Sequence, residues 1–348
     1  MDPRRRPCHH LPRDRPDDRH RRRAPRARRR VSLSSGSVPA RLTPPSRLTV
    51  RGPHAPPGYR PAPDRRPYRP PRPRTRSDHQ VHTLSGQTVL ALHAHPDDES
   101  IFTGLTLRRL ADAGARVVLV MATGGDLGGS RLPLEPGETV PDRRRRELAD
   151  AAALLGVHRL VLLGHRDSGL PGGEGLRHPQ ALAGADPVAL GRAVAEIVDA
   201  EGAGTVLHDD DAGIYGHPDH RAAHAAGAIA CSLTGAHGYR MTVDREHLAL
   251  AARDRHLVHG AAHAAGVGYG RVTAEIAVAV GGGPAELAVK RAAMLAHASQ
   301  IAPDSVDEEG FAATYGYEWF LPGENTGGRV GGGVLEALGN AHLLAGTR

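Results

Sequence analysis

The stretch TVLALHAHPDDESIFTGLTLRRLADAG, Thr88 to Gly114, decides the fold. Its first part, TVLALHAH (Thr88–His95), is an apolar run of strand length that ends on polar residues. The second, DESIFTGLTLRRLADAG (Asp98–Gly114), spaces Ile101, Leu105, Leu107 and Leu110 for one helix face and stops at Gly114. The alternation then repeats. RVVLVMAT (Arg116–Thr123) reads as a second strand before a glycine-rich loop, Arg143–Leu155 as a helix ended by Gly156, and RLVLLG (Arg159–Gly164) as a third strand. Pro187–Ala200 reads as a helix and TVLHDD (Thr205–Asp210) as a further strand. Strands apolar along their whole length, alternating with helices, predict an α/β fold. It is a doubly wound, mostly parallel Rossmann-like sheet with helices on both faces. The ligand site of such a sheet lies beyond the carboxyl ends of its strands. Met241–Leu250 and then Val272–Val280 read as added strands or a helix with a loop between, and Leu287–His297 as a helix.

Charge divides the 348-residue chain. Its formal net charge is +7, yet residues 1–85 carry 23 Lys+Arg against 6 Asp+Glu, leaving 22 against 32 for the remainder. The basicity therefore belongs to an Arg- and Pro-rich tail whose prolines and like charges predict disorder. The expected layout is tail 1–85, folded body 86–325, and a glycine-rich loop with C-terminal segment over 326–348. The tail reads as upstream sequence translated through an early start, with a physiological start near Val81; a single lysine, Lys290, among many arginines fits a GC-biased genome. The competing class is a nucleic-acid-binding protein that uses the tail as an arginine arm. GGDLGG (Gly124–Gly129) is not G-x-G-x-x-G and follows the second strand, which argues against a dinucleotide site. Two cysteines, Cys8 and Cys231, exclude a disulfide framework and a thiolate cluster, and point to a cytoplasmic protein. No run reaches the roughly 18 apolar residues of a membrane span, and no apolar stretch follows the basic N-terminus as a secretory signal requires.

Two clusters carry chemistry: Ala94-His95-Pro96-Asp97-Asp98-Glu99 at the end of the first strand, and Tyr215-Gly216-His217-Pro218-Asp219-His220 after the strand Thr205–Asp210. Two histidines and one carboxylate make a three-ligand zinc site with a position left for water. Such an ion lowers the water pKa to about 7 and polarises an amide carbonyl. Iron(II) suits the same donors on geometric grounds. A neighbouring carboxylate can take the water's proton, and a further imidazole can stabilise an oxyanion or protonate a leaving amine. Chemistry alone leaves open which of Asp97, Asp98 and Glu99 binds metal. Glu99 suits a supporting or first-turn position, Asp219 either orients a histidine or makes a turn, and His297 either supports the site or packs its helix. His224, His256 and His263 read as surface or helix residues.

AHPDDE with the later HPDH resembles the PIG-L/LmbE family of zinc deacetylases that act on N-acetylglucosaminyl compounds. The resemblance implies His95, Asp98 and His220 as metal ligands, Asp97 as general base, His217 as electrophilic or general-acid histidine, and Tyr215 as a helper in polarising the carbonyl. It extends through Gly124-Gly125-Asp126, where Asp126 stands in place of the family's glutamate, through Arg144-x-x-Glu147 with Leu155-Gly156, and through Lys290…Ala296-His297-Ala298-Ser299-Gln300. Arg166-Asp167-Ser168-Gly169 and the stretch near His178–Asp186 resemble the branch that deacetylates the GlcNAc-inositol precursor of mycothiol, which implies Arg144 and Asp167 as sugar-binding residues. Coverage runs over Thr88–Phe320. The implied function is metal-dependent removal of an N-acetyl group from a GlcNAc-type conjugate, a small-molecule amino sugar. Cleavage of a mycothiol S-conjugate amide, or deacylation in an antibiotic pathway, would use the same residues.

Overall fold

In β1 (Thr88–His93) and in β2 (Arg116–Thr123), every residue after the first is buried. Alternate side chains of a strand point to opposite faces, so such strands must be covered on both sides. The computed structural model, which describes residues 84–251, 255–325, 333–338 and 341–342, shows this coverage. One face carries Val89, Ala91, Val117, Leu119 and Met121; the other carries Leu90, Leu92, Val118, Val120 and Ala122. Residues 1–83 of the predicted tail 1–85, with the start near Val81, lie outside the described residues, as do residues 326–332 and the end of the chain. Leu84, inside the stretch read as tail, is buried, and its amide donates to the Ala113 carbonyl at 3.0 Å.

The region read as one helix over Asp98–Gly114 is two, α1 (Asp98–Phe102) and α2 (Gly104–Asp112). At the break, Thr103 leaves helical geometry (φ −135°, ψ 9°), and its hydroxyl donates to Glu99 O while lying 2.9 Å from His93 Nε2. The helix α3 (Val140–Leu155) starts three residues before the predicted Arg143. A capping box between Thr139 and Asp142 opens it, with Pro141 in the first turn, where a missing N–H costs nothing. Strand β3 (Arg159–His165) and helix α4 (Pro187–Glu201) follow, then β4 (Thr205–Asp209), the kinked turn α5 (Gly213–Gly216) and α6 (Pro218–Thr234).

After these the uncertain segment resolves into β5 (His237–Thr242), α7 (Arg245–Ala251), α8 (Leu257–Ala265) and β6 (Val278–Gly281). Helices α9 (Pro284–Ala296) and α10 (Phe311–Tyr315), with strands β7 (Tyr317–Pro322) and β8 (Ala341–His342), complete the described elements. The sheet order is β3-β2-β1-β4-β5-β7-β6-β8. The first five strands pair in parallel, and β7, β6 and β8 pair antiparallel. The chain winds outward from β1 to β3 and then returns to β4 on the other side of β1. The switch point between β1 and β4 opens a crevice beyond their carboxyl ends. Strand β3 is only partly covered because it is the edge, and Leu162 there is exposed. Among the described residues no helix is long and apolar enough to cross a membrane.

The start of α2 is held by a carboxylate more than 200 residues away. Glu318 on β7 accepts from the amides of Leu105 and Thr106, both at 2.8 Å, and from the Thr106 hydroxyl at 2.7 Å. Lys290 of α9 neutralises it at 2.7 Å, with both side chains 1% exposed. Taking one member from a buried pair strands the other charge. Lys290→Met should therefore lower the unfolding free energy by about 3–5 kcal/mol in guanidinium titrations. A loss below about 1 kcal/mol would mean that the amides and the threonine hydroxyl alone satisfy Glu318.

Candidate metal centre and catalytic site

The loops leaving β1, β3 and β4, with one side chain from α3, bring all eight residues singled out in the sequence to the switch point. Asp98 lies between the two outer histidines of the motifs. Its Oδ2 is 3.4 Å from His95 Nδ1, and its Oδ1 is 3.7 Å from His220 Nε2. The other nitrogen of each ring meets a second carboxylate. His95 Nε2 is 3.2 Å from Asp219 Oδ2, and His220 Nδ1 is 3.0 Å from Asp209 Oδ1. A ring that donates outward to a carboxylate keeps its lone pair on the inward nitrogen, the arrangement found around metal-bound histidines. His220 Nε2 is buried without a hydrogen-bond partner. These residues thus fit a divalent ion with N and O preferences. Two further donor sets share the space: one atom each from His95, His217 and His220 lie within 4.8 Å of one another, as do one each from His95, Asp167 and Asp219.

The charges respond to this crowding. Burial lowers the pKa of His95, but the hydrogen bonds to Asp167, Asp219 and Asp98 outweigh it and hold the pKa well above the ordinary value. His220 is likewise pushed up to about 9, burial being outweighed by Asp98 and Asp209. Asp98 is held well below the carboxylate range, as His220 and His95 overcome its burial.

Asp97 sits at φ 124°, ψ −28°, a backbone region that side chains other than glycine avoid. It occupies the N-cap position of α1, yet its side chain makes no cap hydrogen bond. Instead its Oδ2 accepts from Arg144 Nη2 at 3.1 Å, and its amide donates to Glu99 Oε2 at 3.0 Å. Burial raises the Asp97 carboxyl, Arg144 pulls it down and Asp98 pushes it up again, leaving it at about 6. Glu99 is itself fixed through Oε1, 2.6 Å from both Ser100 Oγ and His297 Nε2. It therefore supports the site from behind, and His297 at the end of α9 joins it there.

Arg144 stands in a run of four arginines, yet it is 3% exposed. Its guanidinium also donates to the carbonyls of Gly125, at 2.9 Å, and Pro96. These three contacts use Nη1 and Nη2, and the buried Nε–H has no hydrogen-bond partner. Asp167 is buried beside His95 Nε2 at 3.6 Å and accepts from the amides of Gly169 at 2.8 Å and Leu127 at 3.3 Å.

His217 is the N-cap of α6, and its Nδ1 accepts from the Asp219 amide at 3.2 Å. That contact places the ring hydrogen on Nε2. Burial, then the nearby His95 and His220 charges, hold its pKa down to about 3, so it is a neutral donor. Tyr215 packs its ring against His217 and His220, at centroid distances of 5.8 and 5.5 Å. Asp209, the partner of His220, is the functional residue that motif reading passed over. Its position as the last residue of β4, where side chains reach the crevice, was the available signal. His256, read as a surface or helix residue, is 3% exposed, its ring stacked on Phe102.

Comparison with known proteins gives the chain its relatives. The family model described as GlcNAc-PI de-N-acetylase, PIG-L, matches residues 90–231. The chain is 42% identical over 170 residues to a protein of Kineococcus radiotolerans named 1D-myo-inositol 2-acetamido-2-deoxy-alpha-D-glucopyranoside deacetylase, covering 44% of this chain and 46% of that one. Proteins of the same name match at 34% identity in Thermomonospora curvata, over 61% of this chain and 80% of the relative, and at 36% in Nakamurella multipartita, over 61% and 79%. The chain thus spans about half the length of the first relative and about four-fifths of the other two. On these matches the chain belongs to the PIG-L family.

Proposed function

We propose that this chain is a metal-dependent hydrolase that removes the N-acetyl group of a GlcNAc-type conjugate, with a GlcNAc-inositol as its first substrate. The observation that carries the reading is the pair of histidines whose outward nitrogens are held by Asp219 and Asp209 while their inward nitrogens face Asp98. The relatives' names support the amino-sugar substrate and its inositol. His95, Asp98 and His220 would hold zinc, or iron(II) on the same donors. A bound ion supplies Lewis acidity to the amide carbonyl and to water.

The remaining chemistry falls to the chain. Asp97 takes the proton from the attacking water, its carboxylate held by Arg144. His217 presents its Nε2 hydrogen to the oxyanion or to the leaving nitrogen, with Tyr215 packed beside it. Asp167 accepts from a sugar hydroxyl. Water adds to the carbonyl carbon, the C–N bond breaks, and acetate and a free amine leave.

The test is release of a free amine by the zinc-loaded full chain from GlcNAc-inositol, from GlcNAc and from a mycothiol S-conjugate. The first should turn over fastest; inertness toward all three would sink the amino-sugar reading. Asp97→Ala should keep its metal and lose about 10²–10⁴-fold in turnover. Loss of metal instead would exchange the roles of Asp97 and Asp98.

The strained backbone yields a separate expectation. In the metal-free protein, Asp97→Gly should be more stable than Asp97→Ala by about 1–2 kcal/mol in denaturant titrations, since glycine accepts φ 124° without strain. Equal stability of the two variants would show that the site stores no backbone strain.

A further inference from the structure

The residue before Asp209 on β4 is His208, which is fully buried. Its Nδ1 lies 2.9 Å from the Asp209 carbonyl and its Nε2 lies 2.8 Å from Glu324 Oε2. A carbonyl only accepts, so Nδ1 carries a ring hydrogen, and Nε2 stands at hydrogen-bond distance from a carboxylate that a proton or a metal ion can bridge. Cys231 of α6 stands beside them. One donor atom each from His208, Cys231 and Glu324 lie within 4.8 Å of one another. We propose that His208, Cys231 and Glu324 form a second metal site, separate from the catalytic centre, for a borderline-soft divalent ion of the zinc class.

The surroundings are built to leave this space open. A Cβ at Gly227 would lie 2.6 Å from His208 Cβ, and one at Gly238 would lie 2.6 Å from Glu324 Oε2 and 3.3 Å from Cys231 Sγ. The segment carrying Glu324 is pinned on both sides. Glu324 O accepts from the Gly238 amide at 3.0 Å, and Asn325 Nδ2 donates to the carbonyls of Cys231 at 2.8 Å and Ala236 at 2.9 Å.

Imidazole nitrogen, thiolate sulfur and carboxylate oxygen together are a zinc donor set. Bond lengths of about 2.0–2.3 Å in a tetrahedron set donors roughly 3.3–3.8 Å apart. His208 and Glu324 therefore separate by about half an ångström as the ion replaces the proton between them. Glu324, with its side chain 27% exposed, has the freedom to move and opens the route of entry. The thiol proton and the proton shared by His208 and Glu324 leave as the ion enters.

The experiment is a cobalt(II) titration of the metal-free full chain carrying Cys8→Ser, so that Cys231 is its one thiol. Two equivalents should bind, with a sulfur-to-cobalt charge-transfer band in the near ultraviolet. Adding Cys231→Ser should remove that band and one equivalent. Asp98→Ala in the parent should instead keep the band while losing the other equivalent, so failure of the catalytic site is read separately. Absence of the band, or two equivalents bound by the cysteine-free chain, would overturn the proposal. If the cysteine-free chain does not fold, alkylation of Cys231 in the parent decides. Cobalt should slow it at least about tenfold, and an unchanged rate refutes the site.

Discussion

Two buried imidazoles facing one carboxylate is the constraint from which the rest of the centre follows. Asp98 can serve both His95 and His220 because β1 and β4 are neighbours in register, with Val89 opposite Thr205 and Ala91 opposite Leu207. Parallel neighbours lie about 4.8 Å apart, so loops leaving the same end of both strands start within side-chain reach. The carboxylate also has a structural partner, since Asp98 Oδ2 accepts from the His95 amide at 2.8 Å. The turn that presents His95 and the group it faces are thus fixed by one side chain. Neither ring could be held this way with its far nitrogen unmet, and Asp219 and Asp209 satisfy that requirement.

The cost of placing Asp97 beside this group is a backbone conformation worth about 1–3 kcal/mol of strain. Contacts from several elements hold it there. Glu99 takes the Asp97 amide, Arg144 takes its carboxylate, and His297 fixes Glu99. Helix α9 thereby serves two distant ends, with His297 closing it behind the Asp97 loop and Lys290 neutralising the carboxylate that caps α2. Among the described residues the sheet's second half contributes no group to the catalytic cluster, yet β7 and α9 together fix both helices that follow β1.

The parallel half of the sheet was legible because strands covered on both faces leave unbroken apolar runs, as Val89–Leu92 and Val117–Ala122 do. The two histidine clusters were legible for a related reason: they interrupt that pattern at strand ends. What local periodicity could not show was the break at Thr103, after which Glu318, more than 200 residues along the chain, accepts the amides that open α2. Asp209 was hidden among three consecutive aspartates, where no spacing separates a carboxylate that holds His220 from its neighbours. Arg144 was read as a sugar contact from the family resemblance alone. Its burial could have been found from helix phase, because Arg144, Glu147, Leu148, Ala151 and Leu155 form the buried stripe of α3.

Asp209 joins the two metal-type clusters through its two ends. Its carboxylate holds His220, while its carbonyl oxygen is approached by His208 Nδ1 at 2.9 Å and by His224 Nδ1 at 3.1 Å. A carbonyl and a carboxylate on one residue cannot move independently by more than the freedom of a buried side chain allows, and Asp209 is fully buried. Asp209 therefore contacts both His208 and His220. The strand end that carries His208 and Asp209 thus presents polar contacts in two directions, toward His220 and toward Glu324.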